Sequence, residues 1–214
     1  MNPRIKNFLE RNTLLAALAR RRRDSRMERQ YAHWVENGSV LPMPHLGKRR
    51  VVLEYAARFK PQVFIETGTY TGHMVYGVLN EFEQIYSIEL DHTLAEKARK
   101  KFAGYRYVQI IQGDSSEVLP TILKTISGPC LFWLDAHYSG GHTTKGELET
   151  PIMQELPCIL DHPAAEKHVL LIDDARCFTG QNDYPTLKSL ENLVLESHPD
   201  WIFQVKDDII RTHA

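Results

Sequence analysis

Five short apolar runs in this chain end in or near an acid: Glu66, Glu89, Asp114, Asp135 and the pair Asp173-Asp174. In an open parallel sheet, ligands gather beyond the carboxyl ends of the strands, so these acids would stand along one edge. Asp135, Asp173 and Asp174 would converge there. Carboxylates that close repel one another unless they are protonated or bound to a cation, and oxygen donors with water favour Mg²⁺ or another hard divalent ion. Such an ion would polarise a substrate hydroxyl and stabilise its alkoxide. The competing arrangement has Asp135 capping a turn and Asp173-Asp174 paired with Arg176.

The other acids suggest a nucleoside. Val63-Phe64-Ile65-Glu66-Thr67-Gly68-Thr69-Tyr70-Thr71-Gly72 reads as a strand, a tight turn and a helix start. Gly68 and Gly72 permit positive φ and close approach to main-chain N–H groups, which favour a carboxylate or phosphate. Glu66 favours an ammonium or hydroxyl donor. A zwitterion such as the methionine part of S-adenosylmethionine suits both, with Thr67 and Thr69 in the same loop. Glu89, 17 positions after Gly72, stands near the offset of an acid that accepts two ribose hydroxyls. Asp114, in Gln112-Gly113-Asp114-Ser115, is placed for an adenine amino group, with the Ser115 N–H near a ring nitrogen. Asp135 would stand at the reacting end of this cofactor.

His137 follows Asp135 by two, where an imidazole could accept a hydroxyl proton. The glycine-rich stretch 138–150 has the length and composition of a lid that excludes water. Tyr138, His142 and Lys145 within it, and Arg176 beyond it, are candidate contacts to a substrate.

These groups need a scaffold. Strands are expected at 62–66, 84–90, 107–112, 130–135 and 168–173, alternating with helices at 73–79, 93–102, 116–126 and 150–160. A helix at 184–197 precedes two short strands, 201–205 and 209–212, across the turn Lys206-Asp207-Asp208. Strands almost wholly apolar imply helices on both faces of a parallel sheet. The expected fold is therefore α/β, a Rossmann-like, doubly wound, mostly parallel seven-stranded sheet with an antiparallel C-terminal hairpin.

The 214 residues, 43% hydrophobic, suffice for one full core. The expected division is a basic helical appendage at 1–40, closed by Leu41-Pro42-Met43-Pro44, and a cofactor-binding domain at 41–214. Residues 1–30 carry nine Lys/Arg against three Asp/Glu, a balance of +6, which leaves −7 on the remainder. That acidity argues against a nucleic-acid surface on the main domain. The Arg20 to Arg23 cluster offers contact with an acidic partner, RNA or an anionic membrane, a solvated helix face, or a homo-oligomer contact. No apolar run approaches the roughly 20 residues of a transmembrane helix. Cys130, Cys158 and Cys177 show neither paired nor CxxC spacing and read as reduced thiols of a cytoplasmic protein.

Together, Glu66 to Gly72, Tyr86-Ser87-Ile88-Glu89-Leu90, Gln112-Gly113-Asp114-Ser115, Phe132-Trp133-Leu134-Asp135-Ala136-His137-Tyr138-Ser139-Gly140-Gly141 and Leu171-Ile172-Asp173-Asp174-Ala175-Arg176 resemble bacterial class I S-adenosylmethionine-dependent methyltransferase-like proteins over about residues 41 to 214. The macrocin-type, metal-dependent sugar O-methyltransferases are similar at Asp135, Asp173 and Asp174, which hold Mg²⁺ in those relatives. His137 stands where they carry a second acid, the proposed base. The resemblance implies O-methylation of a small hydroxylated acceptor, a sugar or secondary metabolite; catechol-type enzymes, similar at the same three positions, keep a phenol open. Two rival readings use the same cradle: a nonmethyl, aminopropyl-type transferase, and a nonenzymatic module that senses the cofactor.

Overall fold

The structure is a computed structural model that describes residues 21–22, 24–136 and 149–214. His137, Tyr138, His142 and Lys145, like Arg20 and Arg23, lie outside the described residues. The chain divides into two compact units, Met1–Lys48 and Arg49–Ala214. In the first, residues 24–36 are helical. The second carries the sheet.

The elements from His45 onward follow the expected alternation. They are α1 (His45–Phe59), β1 (Val63–Thr67), α2 (His73–Val78), β2 (Gln84–Glu89), α3 (His92–Phe102), β3 (Val108–Gln112), α4 (Ser115–Leu123), β4 (Cys130–Leu134), α5 (Ile152–Leu160), β5 (Val169–Ile172), α6 (Leu187–Ser197), β6 (Ile202–Lys206) and β7 (Ile209–His213). Strand order is β3-β2-β1-β4-β5-β7-β6. The first five strands in that row run parallel, whereas β7 pairs antiparallel with both β5 and β6.

The near-continuous apolar runs are explained by burial from two sides. Ile65, Ile88, Phe132, Leu134, Leu170 and Ile172 face Leu119 of α4, Leu156 and Ile159 of α5 and Leu190 of α6. Phe64, Ile85, Leu131, Trp133, Val169 and Leu171 alternate with them on the other face, against Val52 and Tyr55 of α1, Val75 of α2 and Ala95 of α3. Full burial of such side chains contributes roughly 1.5–3 kcal/mol each, which fixes the register that brings the strand ends level.

Two boundaries differ from expectation for local reasons. Tyr184 stands outside α6 and packs edge-on against Phe178, ring centroids 5.3 Å apart, while Thr186 caps the helix by accepting the Ser189 N–H at 3.0 Å. Asp135 lies one residue past β4, although its N–H still donates to Thr67 O at 3.0 Å.

At the amino edge, His168 and His162 form a neutral chain. The Cys130 N–H donates to His168 Nδ1 at 3.1 Å, so the ring proton sits on Nε2 and donates to His162 Nδ1 at 3.0 Å. His162 Nε2 in turn donates to the carbonyls of Leu123 and Ile126, at 3.3 and 3.1 Å. Burial, reinforced by His162, pushes His168 down to about 4. Among the described residues, no helix is long and apolar enough to cross a membrane.

Candidate active site

The β1–α2 loop is built by close approach. Gly68, at φ 92°, could not carry a Cβ, which would fall 2.6 Å from the carbonyl oxygen of Asp135. Gly72, at φ 66°, would meet the Phe102 ring at 2.7 Å. Between them Tyr70 holds φ 47° with its side chain outward, 48% exposed. A bulky residue in that region is strained.

The loop engages several of its own N–H groups: those of Gly68 and Thr69 donate to Ile88 O at 2.9 and 3.2 Å, and that of Gly72 to Thr69 O at 2.7 Å. The Tyr70 N–H donates to Glu89 Oε2 at 2.6 Å. The Gly68, Thr69 and Tyr70 donors lock the loop to the end of β2.

Glu66, 2% exposed, sits across from its register partner Ser87, whose hydroxyl donates to Glu66 Oε2 at 2.5 Å and lies 2.6 Å from Thr69 Oγ1. Burial raises the Glu66 carboxyl well above the usual range; Ser87 opposes this, and the charges of Asp135 and Glu89 add to it. Glu89, placed for ribose hydroxyls by its spacing, also works inside the protein, its second oxygen accepting the Asp91 N–H at 2.9 Å. Asp114 does likewise. Its Oδ1 caps α4 by accepting the Ser116 N–H at 2.9 Å and the Ser116 hydroxyl at 2.7 Å.

Asp135, Asp173 and Asp174 converge as the strand ends imply, each offering an oxygen within 4.8 Å of the others. The geometry comes from pairing at the edge, where the Asp173 N–H donates to Leu134 O at 3.0 Å and the Asp174 N–H to Asp173 Oδ1 at 2.9 Å. Asp174 takes the left-handed conformation, φ 55°, ψ 46°. Three clustered carboxylates suit a hard divalent cation by donor chemistry.

The alternative pairing is present as well. Arg176, a candidate substrate contact in the sequence, bonds Asp174 Oδ1 at 2.8 Å and also Asp208 Oδ2. Asp208, in the β6–β7 turn, accepts the Arg176 N–H at 2.9 Å through Oδ1 and the Ala175 N–H at 2.9 Å through its carbonyl. Arg176 therefore braces the acid cluster from behind.

Three residues escaped the sequence reading. Asp208 looked like an ordinary turn acid, and its link to the cluster crosses 32 residues. Tyr184 is pushed above its usual range by burial, with further contributions from the charges of Cys177, Asp174 and Asp135. Glu155, on the buried face of α5, is 1% exposed, and burial raises it to about 7 beside Ser115, Thr67 and Asp114. An acid at a helix position facing the core was the available signal.

No family model and no curated protein matches the chain. Its fold is similar to solved structures. The O-methyltransferase TomG of Streptomyces achromogenes, in complex with SAM, aligns with TM-score 0.59 and 17% identity over 87% of this chain and 96% of that one. The Bacillus cereus O-methyltransferase in complex with SAH gives 0.56 and 13% over 86% and 88%. The SAH-bound methyltransferase PaMTH1 of Podospora anserina gives 0.55 and 17% over 91% and 94%. The sheet, with its antiparallel C-terminal hairpin, is that of the class I methyltransferase fold.

Proposed function

We propose that this chain is an S-adenosylmethionine-dependent methyltransferase that methylates an oxygen of a small hydroxylated acceptor, a sugar or secondary metabolite, with help from a divalent metal such as Mg²⁺. The observation that carries this reading is the convergence of Asp135, Asp173 and Asp174 within 4.8 Å at the edge where β1 delivers its glycine loop. A sheet of this type, used in similar proteins with SAM or SAH bound, supplies its context.

In this reading Glu66, Thr67, Gly68, Thr69, Gly72, Glu89, Asp114 and Ser115 line the donor side. Bound S-adenosylmethionine would supply an electrophilic methyl group. Asp135, Asp173 and Asp174 would hold the metal, whose charge lowers the cost of deprotonating an acceptor hydroxyl. His137 receives that proton, and Tyr138, His142 and Lys145 contact the acceptor. Positioning carries much of the rate in such a displacement, because aligned reactants avoid the entropy of encounter. A braced Asp174 serves that end.

The test is calorimetry with S-adenosylhomocysteine, with and without Mg²⁺, on the wild type and on Asp173→Ala. The variant should keep cofactor affinity within a few-fold and lose metal dependence. Loss of cofactor binding with no response to metal in either protein would assign these carboxylates a purely structural role.

A further inference from the structure

The β1–α2 loop is fastened on its β2 side by Ile88 and Glu89, and its other end needs a separate tether. Gly72, which caps α2, has no side chain to supply one, and α2 itself is only six residues long. The tether comes from α3. Lys101 Nζ donates to the carbonyl oxygen of Thr71 at 2.7 Å and to that of Gly72 at 3.2 Å. Beside it, the buried ring of Phe102 fills the space that a Cβ on Gly72 would need. The ammonium lies 5.0 Å from the centroid of that ring and 5.9 Å from that of Tyr76 in α2, so two aromatic rings flank the cation.

An exposed lysine in the last turn of a helix ordinarily keeps its ammonium in water, where it is strongly hydrated. Lys101 is exposed and stands in the last turn of α3, yet its ammonium is committed to two main-chain oxygens. A peptide unit is planar and trans, so a carbonyl held on one side fixes the N–H on the other. Holding the Thr71 and Gly72 carbonyls therefore fixes the N–H groups of Gly72 and His73, the first of which closes the loop on Thr69 O. The base for this tether is firm. Ala95, Ala98 and Phe102 of α3 are buried, and Arg99 Nε donates to Ile110 O of β3 at 3.0 Å.

We propose that Lys101 is a positioning residue: by fastening Thr71 and Gly72 to α3, it holds the β1–α2 loop in the geometry that binds the cofactor. This role rests on the cofactor reading above. Glu89 and Lys101 then restrain the loop from opposite ends, one through an N–H and the other through two carbonyls.

Calorimetry of S-adenosylhomocysteine on the wild type, Lys101→Met, Lys101→Arg and Lys100→Met tests this, with urea denaturation confirming that each protein is folded. Lys101→Met keeps the apolar stem but loses the donor. It should bind about tenfold more weakly, the order expected when bonds from a charged donor no longer hold the binding geometry. Lys101→Arg, whose guanidinium can again donate to two oxygens, should recover most of that affinity. Lys100→Met removes an equal charge one residue away and should bind like the wild type. Wild-type affinity in Lys101→Met, an equal loss in Lys100→Met, or no recovery in Lys101→Arg overturns the proposal and leaves the cofactor reading standing. Failure of every protein to bind overturns the cofactor reading instead, and amide exchange then decides whether Lys101 holds the loop. Faster exchange at Gly72 in Lys101→Met than in the wild type and Lys101→Arg supports the tether; equal exchange in all three overturns it.

Discussion

Glu89 Oε2 accepts the Tyr70 N–H at 2.6 Å across 19 residues, while the other carboxylate oxygen of Glu89 holds Asp91. One side chain thus restrains a left-handed residue in the β1–α2 loop and the turn that starts α3. Losing it should cost both bonds. Glu89→Ala is expected to destabilise the fold by about 3–6 kcal/mol, since bonds to a charged acceptor contribute roughly 1.5–3 kcal/mol each. Glu89→Gln, with one acceptor oxygen left, should fall about midway. Urea denaturation checks both, and equal stability of all three proteins would show that Tyr70 is held by other contacts.

Gly68→Ala joins two costs at one position, a φ of 92° and a Cβ 2.6 Å from a main-chain carbonyl oxygen. The expected loss is roughly 2–4 kcal/mol. Because the displaced carbonyl belongs to Asp135, metal affinity should fall with stability. Titration of Mg²⁺ against the melting temperature reads both quantities in one experiment.

Arg176→Ala separates bracing from binding. Asp174 and Asp208 lose their shared cation, and because the Arg176 side chain is 39% exposed, solvent screening limits the loss to about 1 kcal/mol. The Asp174 carboxylate is then left without its brace. Mg²⁺ should raise the melting temperature of the variant less than that of the wild type. A larger rise would mean that the ion pair competes with the metal for Asp174 rather than orienting it.

Two buried groups give the fold an opposed pH response. Glu155, at about 7 against an ordinary 4.5, gains a proton on folding, so its contribution is full below pH 4.5 and is lost as pH rises through 7. His168, at about 4 against 6.5, sheds a proton on folding, so its contribution is full above pH 6.5 and is lost as pH falls through 4. Each amounts to roughly 3 kcal/mol. Between pH 4.5 and 6.5 they offset each other in the wild type. Glu155→Gln should therefore be more stable than the wild type at pH 8 by about that amount and should lose stability steeply below pH 6.5. Denaturation midpoints across this range check both limbs, and parallel curves would place Glu155 in contact with solvent.

The sheet was legible because its signal is local. Runs such as Cys130 to Leu134, buried at every position, announce a strand covered on both faces, and the acids that end such runs mark the carboxyl edge of the sheet. Hydrogen-bond bookkeeping was not legible. Whether the Gly68 and Thr69 N–H groups face a ligand or Ile88 O depends on how far β2 extends beside the loop, a tertiary fact. Arg176 is the same kind of case: its charge promised a substrate contact, but Asp208, 32 residues away, claims it. Glu155 and Tyr184 acquire their perturbed acidities only when the helices close over them.

The placement of β7 between β5 and β6 sets an order of assembly. As the chain is synthesised, β1 to β5 and the glycine loop emerge first and can pair, leaving β5 as an open edge until residues 209–213 arrive. Asp208 arrives with them, carrying the bonds that hold Ala175 and Arg176. An unfinished chain can therefore hold the β1–α2 loop before its acid cluster is braced, with a sticky strand exposed in the interval. Completion of the acid cluster waits on docking of the C-terminal hairpin.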